Sequence, residues 1–370
     1  MGGVRLGGVG LVESCSPPWT AYGGAATSGD PQVFAACSTN APGVATVFTD
    51  FNGFVDSDAN SNPLLSPDGT KILFQVLSSS TGFDEIWVVD AVAGSTPVQL
   101  VADGSNYCFH PAWGPDSDTF YYVQGSGGAT SNASVYKDTV SAIGSPTLLK
   151  AAAGGAGAMR PQPNFDGTRV AYIWTDTPQE LRCMDSDGSN DGLVDNTISA
   201  YDSNEPPQFG WANTQNLIAF QNGVISPQDV FVIDDTGGGK VQINANGDAA
   251  GGNANVSGYG YAWPADDSFV VIVANIGNPV YNIFRAEVDG SDTTQLGTTG
   301  PDAGSIPAFR TALIYQSRIW FVSETDGTAS KAQVSSMTLA GTDERVDFDS
   351  SLGSGDEVLG FVGGDGWYFN

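Results

Sequence analysis

Two short segments carry oxygen-bearing side chains at a spacing that could bind calcium. The candidate ligands are Asp56, Asp58 and Asn60 in the first segment, and Asp185, Asp187 and Asp191 in the second. Calcium prefers several oxygen ligands, which closely spaced Asp and Asn side chains supply. Neither segment has the glutamate expected at the twelfth position of a hand-type calcium loop. The second segment also fits an ordinary turn, in which Asp, Gly and Asn serve the backbone geometry.

Candidates for acid–base catalysis are few. His110 is the only histidine, so a metal site built from several histidines is excluded. The neighbouring Pro111 favours a turn or packing role for this side chain. No Gly-x-Ser-x-Gly motif is present, so a serine hydrolase using His110 is not predicted. Paired carboxylates, as in glycoside hydrolysis, need not be close in sequence and stay an alternative. We therefore predict no catalytic residue, no cofactor other than calcium, and a protein that is not an enzyme.

The elements that must position these side chains form a repeat. Its clearest copy is residues 63–74, where a short strand, a Pro-Asp-Gly turn and a second β-rich strand follow one another. Equivalent turns are predicted at Asp68, Asp116, Asp166, Asn213 and Asp266, which gives steps of 48, 50, 47 and 53 residues. Steps of this length are typical of one four-stranded propeller blade.

The repeat predicts an all-β fold, a seven-bladed β-propeller of four-stranded antiparallel blades, with six or eight blades as alternatives. The blades are predicted at about 60–101, 108–150, 159–199, 206–244, 257–297, 305–348, and 356–370 together with 30–50. In the last blade, residues 358–362 and 367–370 join residues 32–38 and 44–49. Pairing N-terminal with C-terminal strands closes the ring and removes exposed edges. Residues 30–370 then form one domain, and residues 1–29 form a glycine-rich tail outside it.

Recurring aromatic residues are predicted to fill the core between blades. They are Trp113, Trp211 and Trp263, with Phe165 and Phe309. Cys108 and Cys183 fall on different predicted blades, so we expect both thiols to be free.

The loops that lead from the outermost strand of one blade to the innermost strand of the next gather on one face of a propeller, and here they are acidic. The candidate partner-binding residues are Asp103, Asp202, Glu205, Asp248, Asp302, Asp356 and Glu357, and Asp56 and Asp58 lie in the same set of loops. Converging carboxylates could receive a basic partner or hold calcium. Trp19, in the predicted tail, is a further candidate for docking on a partner or a second copy.

The charge balance excludes some partners. The 370-residue chain has 41 acidic and 13 basic residues, for a formal net charge of -28. Such a surface repels phosphate backbones, so nucleic acid is not an expected partner. No apolar stretch is long enough to predict a transmembrane helix. We expect an extracellular, periplasmic or surface-associated protein.

The segments SPDGTKILF (66–74), IWVVDA (86–91) and VQL (98–100) together resemble the repeat of the TolB-like propeller family. MDSDGSN (184–190) and VDGSDTTQL (288–296) are similar to the turn and last strand of that repeat. The resemblance implies a propeller used mainly as an interaction platform. We therefore expect a non-enzymatic scaffold that binds a protein partner or self-assembles. A carbohydrate-binding or carbohydrate-active propeller and a calcium-stabilised structural propeller are the alternatives.

Overall fold

The computed structural model describes most of the chain. The described residues are 19–25, 31–37, 45–50, 64–77, 82–91, 95–102, 104–127, 131–198, 209–222, 229–246, 254–256, 261–276, 281–296, 313–315, 317–324, 332–343, 345–349 and 357–361. Nearly all of their regular structure is β-strand, and the only helical element among them is the 3-10 turn Val140–Ala142. Within these ranges, no helix has the length and apolar character needed to cross a membrane.

The described residues contain 28 strands. In chain order they are β1 (Trp19–Ala25), β2 (Pro31–Cys37), β3 (Ala45–Asp50), β4 (Leu64–Leu65), β5 (Lys71–Leu77), β6 (Asp84–Asp90), β7 (Val98–Val101), β8 (Tyr107–Trp113), β9 (Thr119–Gly127), β10 (Ser131–Thr139), β11 (Thr147–Lys150), β12 (Ala158–Pro163), β13 (Arg169–Trp174), β14 (Glu180–Asp185), β15 (Gly192–Asp195), β16 (Phe209–Trp211), β17 (Leu217–Asn222), β18 (Asp229–Asp234), β19 (Val241–Gln242), β20 (Ala254–Val256), β21 (Phe269–Ile276), β22 (Tyr281–Glu287), β23 (Thr293–Leu296), β24 (Leu313–Tyr315), β25 (Arg318–Glu324), β26 (Ala332–Thr338), β27 (Arg345–Asp349) and β28 (Glu357–Phe361).

These strands form four-stranded antiparallel sheets, which agrees with the predicted all-β, propeller-like architecture. Sheets 1 to 6 are consecutive meanders made of β4–β7, β8–β11, β12–β15, β16–β19, β20–β23 and β24–β27. Sheet 7 has the strand order β28-β1-β2-β3. In this sheet Tyr22 lies opposite Phe361 and Ala25 lies opposite Glu357. A strand near the C-terminus therefore pairs with strands near the N-terminus.

Sheet 7 uses different segments from those predicted. Trp19–Ala25 forms the strand between β28 and β2, so the assignment of these residues to a tail is wrong. The composition was misleading because Gly23 and Gly24 resemble a linker, whereas here they mark the register shift where β1 meets β28. The predicted second strand, residues 367–370, lies outside the described residues.

The first strands of sheets 5 and 6 also differ from the prediction. In sheet 5 the paired segment is Ala254–Val256, and the predicted strand at 259–263 contributes an isolated bridge between Ala262 and Val271. In sheet 6 the strand is Leu313–Tyr315, whereas the predicted residues 306–309 lie outside the described ranges.

The turn between the first and second strands repeats with the same hydrogen bond. A backbone N–H donates to the carbonyl five residues later in Ser66–Lys71, Gly114–Thr119, Asn164–Arg169 and Ala212–Leu217. This alignment makes Thr214, not the predicted Asn213, the residue equivalent to Asp68. It also makes Phe165 a turn residue, because Pro163 occupies the position equivalent to Trp113. The turn of sheet 4 has no Asp-Gly pair to mark its position. The repeat spacing alone therefore predicts the equivalent residue one position too early, at Asn213.

Apolar clusters lie between successive sheets, from the pair of sheets 1 and 2 to the pair of sheets 5 and 6. Sheets 2 to 5 are therefore covered on both faces, as their near-continuous apolar strands require. Trp113, Trp211 and Trp263 are at most 5% exposed, which confirms their predicted core role. Cys108 and Cys183 are buried, and neither forms a disulfide bond within the described residues.

The same tryptophans connect neighbouring sheets near the inner edge. The indole Nε1 of Trp113 donates to the carbonyl oxygen of Leu64 at 2.8 Å, and that of Trp211 donates to the carbonyl of Gln162 at 3.0 Å. Trp263 makes the equivalent bond to the carbonyl of Gly210 at 3.3 Å. Each acceptor lies two residues before the start of its own turn, so the link is equivalent in all three junctions. Pro163 has no side-chain donor, so the junction between sheets 2 and 3 does not have this link.

At the outer edge, the turn between the third and fourth strands of one sheet rests on the fourth strand of the preceding sheet. Gly188 has a φ of +87°, and a Cβ there would lie 2.6 Å from the carbonyl oxygen of Leu149. Gly237, with a φ of +88°, approaches the carbonyl of Val194 in the same way. Both positions require glycine, because the positive φ is unfavourable for other residues and a Cβ atom would be too close to the carbonyl oxygen of the preceding sheet.

We predict that replacing Trp211 or Trp113 by Phe lowers the free energy of unfolding by about 1–3 kcal/mol, because a buried carbonyl oxygen loses its only indole donor. Urea unfolding measures the loss. Trp174→Phe is the matched control, since Trp174 is also buried and makes no such bond across a junction in the described chain. Equal losses for all three variants would contradict the role of the indole hydrogen bond.

Candidate functional site

The first strands of sheets 2 and 3 are interrupted at the same place. In sheet 2 the pairing shifts between Phe109 and Ala112, and in sheet 3 between Met159 and Gln162. Inside these two bulges lie His110, with a φ of 52°, and Arg160, with a φ of 51°. A positive φ is unfavourable for residues other than glycine, and a bulge changes the direction of its side chain. Consecutive sheets therefore present a basic side chain by the same strained local structure.

Several buried polar atoms around these bulges have no hydrogen-bond partner. Among the described residues, they include His110 Nδ1, Arg160 Nε and the Oε1 atom of Gln162, whose side chain is almost completely buried. Buried polar atoms are rarely left unpaired in folded proteins, because each costs the desolvation energy of the group. The combination of strain and unpaired atoms is typical of functional sites.

The surroundings of His110 keep its ring uncharged. Burial lowers the pKa of His110 well below its usual 6.5, and the nearby positive charge of Arg160 lowers it further. The neutral imidazole has one nitrogen that donates a hydrogen bond and one that accepts. The ring of Phe109 contacts it edge-on, with 5.2 Å between the centroids. The site thus combines one permanent positive charge with a neutral hydrogen-bonding ring.

A carboxyl group of sheet 1 is connected to this site through an amide. The backbone N–H of His110 donates to Oε1 of Gln75 at 3.3 Å, and the side chain of Gln75 also hydrogen-bonds Asp84. Burial raises the pKa of Asp84, and the hydrogen bond from Gln75 lowers it by less. A buried carboxyl with a raised pKa is a common component of catalytic sites, although structural groups show such shifts too.

Charged side chains hold the outer part of the junction between sheets 2 and 3. Asp191 accepts hydrogen bonds from Lys150 Nζ at 2.5 Å, from Arg182 Nε at 3.1 Å and from the hydroxyl of Tyr172 at 2.7 Å. Burial would raise the pKa of Asp191, but these hydrogen bonds together lower it. Lys150 also lies over the ring of Trp174, 5.0 Å from its centroid. This network stands at the one junction of sheets 1 to 5 where the indole link is replaced by proline.

A groove of about 440 Å³ lies at the turn end of the same junction. Asp116 and Asp166 line it, together with Lys137 and Ser186. Asp116 accepts hydrogen bonds from Thr119, and Asp166 accepts them from Thr168, so both carboxylates stabilise their own turns. Lys137 Nζ donates to the carbonyl of Ser186 at 2.5 Å. These polar groups of the groove are therefore already paired, unlike those at the bulges.

The second predicted calcium segment uses its carboxylates separately. Asp185 forms an ion pair with Arg169 and accepts a hydrogen bond from Asn190, while Asp187 accepts from Ser189. Asp191 instead belongs to the network with Lys150 and Arg182. Across the part of the chain that the structure describes, no three His, Cys, Asp or Glu side chains come together in a group able to hold a metal ion.

Most residues of the predicted acidic rim lie outside the described ranges. They are Asp56, Asp58, Asp103, Asp202, Glu205, Asp248, Asp302 and Asp356, and Asn60 of the first predicted calcium segment also lies outside the described ranges. Glu357 is the first residue of β28, and Trp19 is the first residue of β1, where it lies opposite Cys37. Trp19 is therefore part of a sheet rather than of a tail, and the acidic rim stays a prediction.

The sequence predicts a turn or packing role for His110 and does not single out Arg160. One signal could have found the pair. In successive repeats a basic residue directly precedes a proline and stands six positions before the turn aspartate, at His110–Pro111 and Arg160–Pro161. The step between them is 50 residues, which is the repeat itself. Neither the bulge nor the missing hydrogen-bond partners are visible in that pattern.

No protein-family model matches the chain, and no curated protein is detectably similar. Solved structures do match. A puromycin hydrolase mutant gives a TM-score of 0.62 at 12% identity over 89% of this chain, which spans about half (51%) of that hydrolase. Oligogalacturonate lyase from Vibrio parahaemolyticus gives 0.57 at 12% identity, covering 80% of this chain and 84% of the lyase. TolB from Acinetobacter baumannii gives 0.48 at 13% identity, covering 88% of this chain and 78% of TolB.

These comparisons correct one expectation. The prediction that the chain is not an enzyme is wrong as a conclusion from the fold, because the solved structures that share it include a hydrolase and a lyase. At 12% identity the likeness concerns the fold alone. Activity must be argued from the side chains of the site.

We predict that Asp191→Asn lowers the free energy of unfolding by about 3 kcal/mol at pH 7, because Lys150 and Arg182 lose a partly buried partner. The pKa of Asp191 is lower in the folded chain, so its contribution is complete at neutral pH and is lost as the pH falls through the folded value. Urea unfolding at several pH values should show that the free energies of unfolding of the unmodified chain and of Asp191→Asn converge below the ordinary aspartate pKa of 3.8.

The matched control is Asp187→Asn in the same turn, where the carboxylate is exposed and contacts only Ser189. It should change stability far less than Asp191→Asn. Equal effects, or a difference that persists unchanged in acid, would contradict the network.

Proposed function

We propose that the chain is a seven-bladed β-propeller closed by the pairing of β28 with β1, and that it binds a ligand where His110 and Arg160 meet. The seven four-stranded sheets and the register between Tyr22 and Phe361 support the closed ring. In such a ring the first strands surround the central axis, so both bulges would face the axial channel. Channel mouths are frequent ligand sites because many strands deliver side chains to one place.

The observation that carries this proposal is the pair of equivalent bulges with unpaired polar atoms. Each strained backbone position costs on the order of 1–3 kcal/mol. Leaving His110 Nδ1 and Arg160 Nε buried without partners adds a further cost. A ligand that supplies these hydrogen bonds recovers part of that energy on binding, which is the usual reason for keeping such groups in a site.

A carbohydrate-active propeller is the second candidate. Asp84 favours it, because a partly buried carboxyl with a raised pKa, connected through Gln75 to the backbone N–H of His110, is suited to proton transfer. The likeness to oligogalacturonate lyase along most of that enzyme's length is consistent with this role. Protein-partner binding through the acidic rim, with calcium bound there, is a third proposal and concerns residues outside the described ranges.

We predict that Arg160→Gly and His110→Gly leave stability unchanged or higher, because glycine adopts a positive φ without strain and removes an unpaired buried group. Chemical denaturation of each variant measures this. Ser317→Gly is the matched control, since Ser317 also has a positive φ of 59° but lies exposed in a turn of sheet 6. If both site variants were clearly less stable than the control, the two residues would be structural and the proposed site would be wrong.

A further inference from the structure

We propose that the groove at the turn end of the junction between sheets 2 and 3 binds a small primary amine in its ammonium form. The ammonium group pairs there with the carboxylates of Asp116 and Asp166 and with the hydroxyl group of Tyr121, all of which line the groove. This site is separate from the one proposed at His110 and Arg160, because no residue that lines the groove belongs to either bulge.

Two contacts between the sheets bound the groove. At the first contact the turns of the two sheets meet, since a Cβ atom at Gly167 would lie 3.0 Å from Cγ of Pro115. Asp166 and Asp116 adjoin these two residues in sequence, so this contact brings the two turn carboxylates to the same groove. At the second contact Lys137 Nζ donates to the carbonyl oxygen of Ser186. The volume of about 440 Å³ lies within the usual range for small-molecule sites.

A buried hydroxyl group without a partner belongs to the wall of this groove. Tyr121 is only 3% exposed, lines the groove and makes no hydrogen bond through its hydroxyl with a described residue. It lies opposite Lys137 in the neighbouring strand, on the face of sheet 2 that packs against sheet 3. Burial raises the pKa of Tyr121 to about 12, and the negative charge of Asp116 contributes to this increase. The hydroxyl is therefore protonated at neutral pH, and a ligand in the groove supplies its missing partner.

Both turn carboxylates are ionised and can accept further hydrogen bonds. Burial would raise the pKa of Asp166, but hydrogen bonds with Thr168 and Asn164 lower it. The pKa of Asp116 is lowered in the same way, chiefly by Thr119. The N–H and the hydroxyl of Thr168 both donate to Oδ1 of Asp166, so these turn bonds do not use Oδ2. An ionised carboxylate has about four acceptor positions, which leaves room for a ligand donor.

The charges around the groove favour a cation. Its lining has three acidic residues, Asp116, Asp138 and Asp166, against one basic residue, Lys137. An anion is repelled by this lining, and a neutral ligand leaves its charge unmatched. Calcium needs several oxygen ligands, and no group of three acidic, His or Cys side chains in the described chain can hold a metal ion. A primary ammonium group carries three N–H donors, which suits two carboxylates and one hydroxyl group.

The 370-residue chain can be titrated with butylammonium, which has one ammonium group on a short apolar chain. Butanol lacks the charge, butyrate reverses it, tetramethylammonium has no N–H donor, and calcium tests a metal ion. Carbon-13 labels at the Cζ atoms of the 12 tyrosines report on their hydroxyl groups, and the signal missing from Tyr121→Phe belongs to Tyr121. At constant ionic strength we expect butylammonium to shift this signal with a Kd of about 1–10 mM, at least about fivefold below that of each comparison ligand.

Asp166→Asn should weaken the binding of butylammonium at least about fivefold, because the amide loses the charge but still accepts the hydrogen bonds of its turn. The matched control is Asp266→Asn in sheet 5. Asp266 is an exposed turn carboxylate that accepts the equivalent hydrogen bonds from Ser268, and it does not line the groove. Its replacement removes the same charge from the chain and should leave the affinity unchanged.

Tyr121→Phe should weaken the binding about tenfold, as measured by NMR relaxation of the ligand, because the ammonium group loses one acceptor. Urea unfolding should show unchanged stability, since the hydroxyl has no partner among the described residues. A Tyr121→Phe variant that binds butylammonium as tightly as the unmodified chain would contradict the proposed site.

No shift of the Tyr121 signal by butylammonium at about 50 mM would overturn the inference. Equal weakening by Asp166→Asn and Asp266→Asn would overturn it too, because binding would then follow only the net charge of the chain. An equal response to tetramethylammonium or calcium would exclude a primary amine as the specific ligand. None of these results concerns the site proposed at His110 and Arg160, so the two proposals fail separately.

Discussion

The indole hydrogen bond between neighbouring first strands is the interaction on which the rest of the structure depends. Trp113, Trp211 and Trp263 each fill the space between two sheets and donate to a carbonyl group in the first strand of the neighbouring sheet. The bond fixes the height of one strand against the next, and the glycine turns at the outer edge fix the second point of contact. The junctions between sheets 3 and 4 and between sheets 4 and 5 have both points of contact, which together determine how one sheet lies on the next.

The junction between sheets 2 and 3 departs from this rule, and it contains the site. Pro163 replaces the tryptophan, so the inner part of this junction carries no indole bond. Asp191, Lys150 and Arg182 hold its outer part instead. The first strands of both sheets carry a bulge, which holds His110 in sheet 2 and Arg160 in sheet 3. A local loss of the structural link thus coincides with the unpaired polar groups, as expected where a stable scaffold accommodates strain for a function.

The sequence was sufficient for the repeat, the antiparallel sheets and the buried tryptophans, because periodic apolar positions and Asp-Gly turns are local signals. The sequence was insufficient where the local composition suggests one structure and the backbone adopts another. Gly23 and Gly24 suggested a linker although β1 completes sheet 7, and the turn of sheet 4 was placed one residue early because it lacks its aspartate. The bulges at His110 and Arg160 could not be predicted, because a positive φ and a missing hydrogen-bond partner depend on the neighbouring sheet. The shared fold leaves activity open, since the solved structures with this fold include a hydrolase and a lyase.

The most direct measurement of the account is the NMR titration of the His110 imidazole in the 370-residue chain, in which it is the only histidine. A buried ring beside Arg160 predicts a midpoint well below 6.5, and a higher midpoint when Arg160 is replaced by Gln. A midpoint near 6.5 that does not respond to this replacement would contradict the account, because His110 would then be neither buried nor close to Arg160.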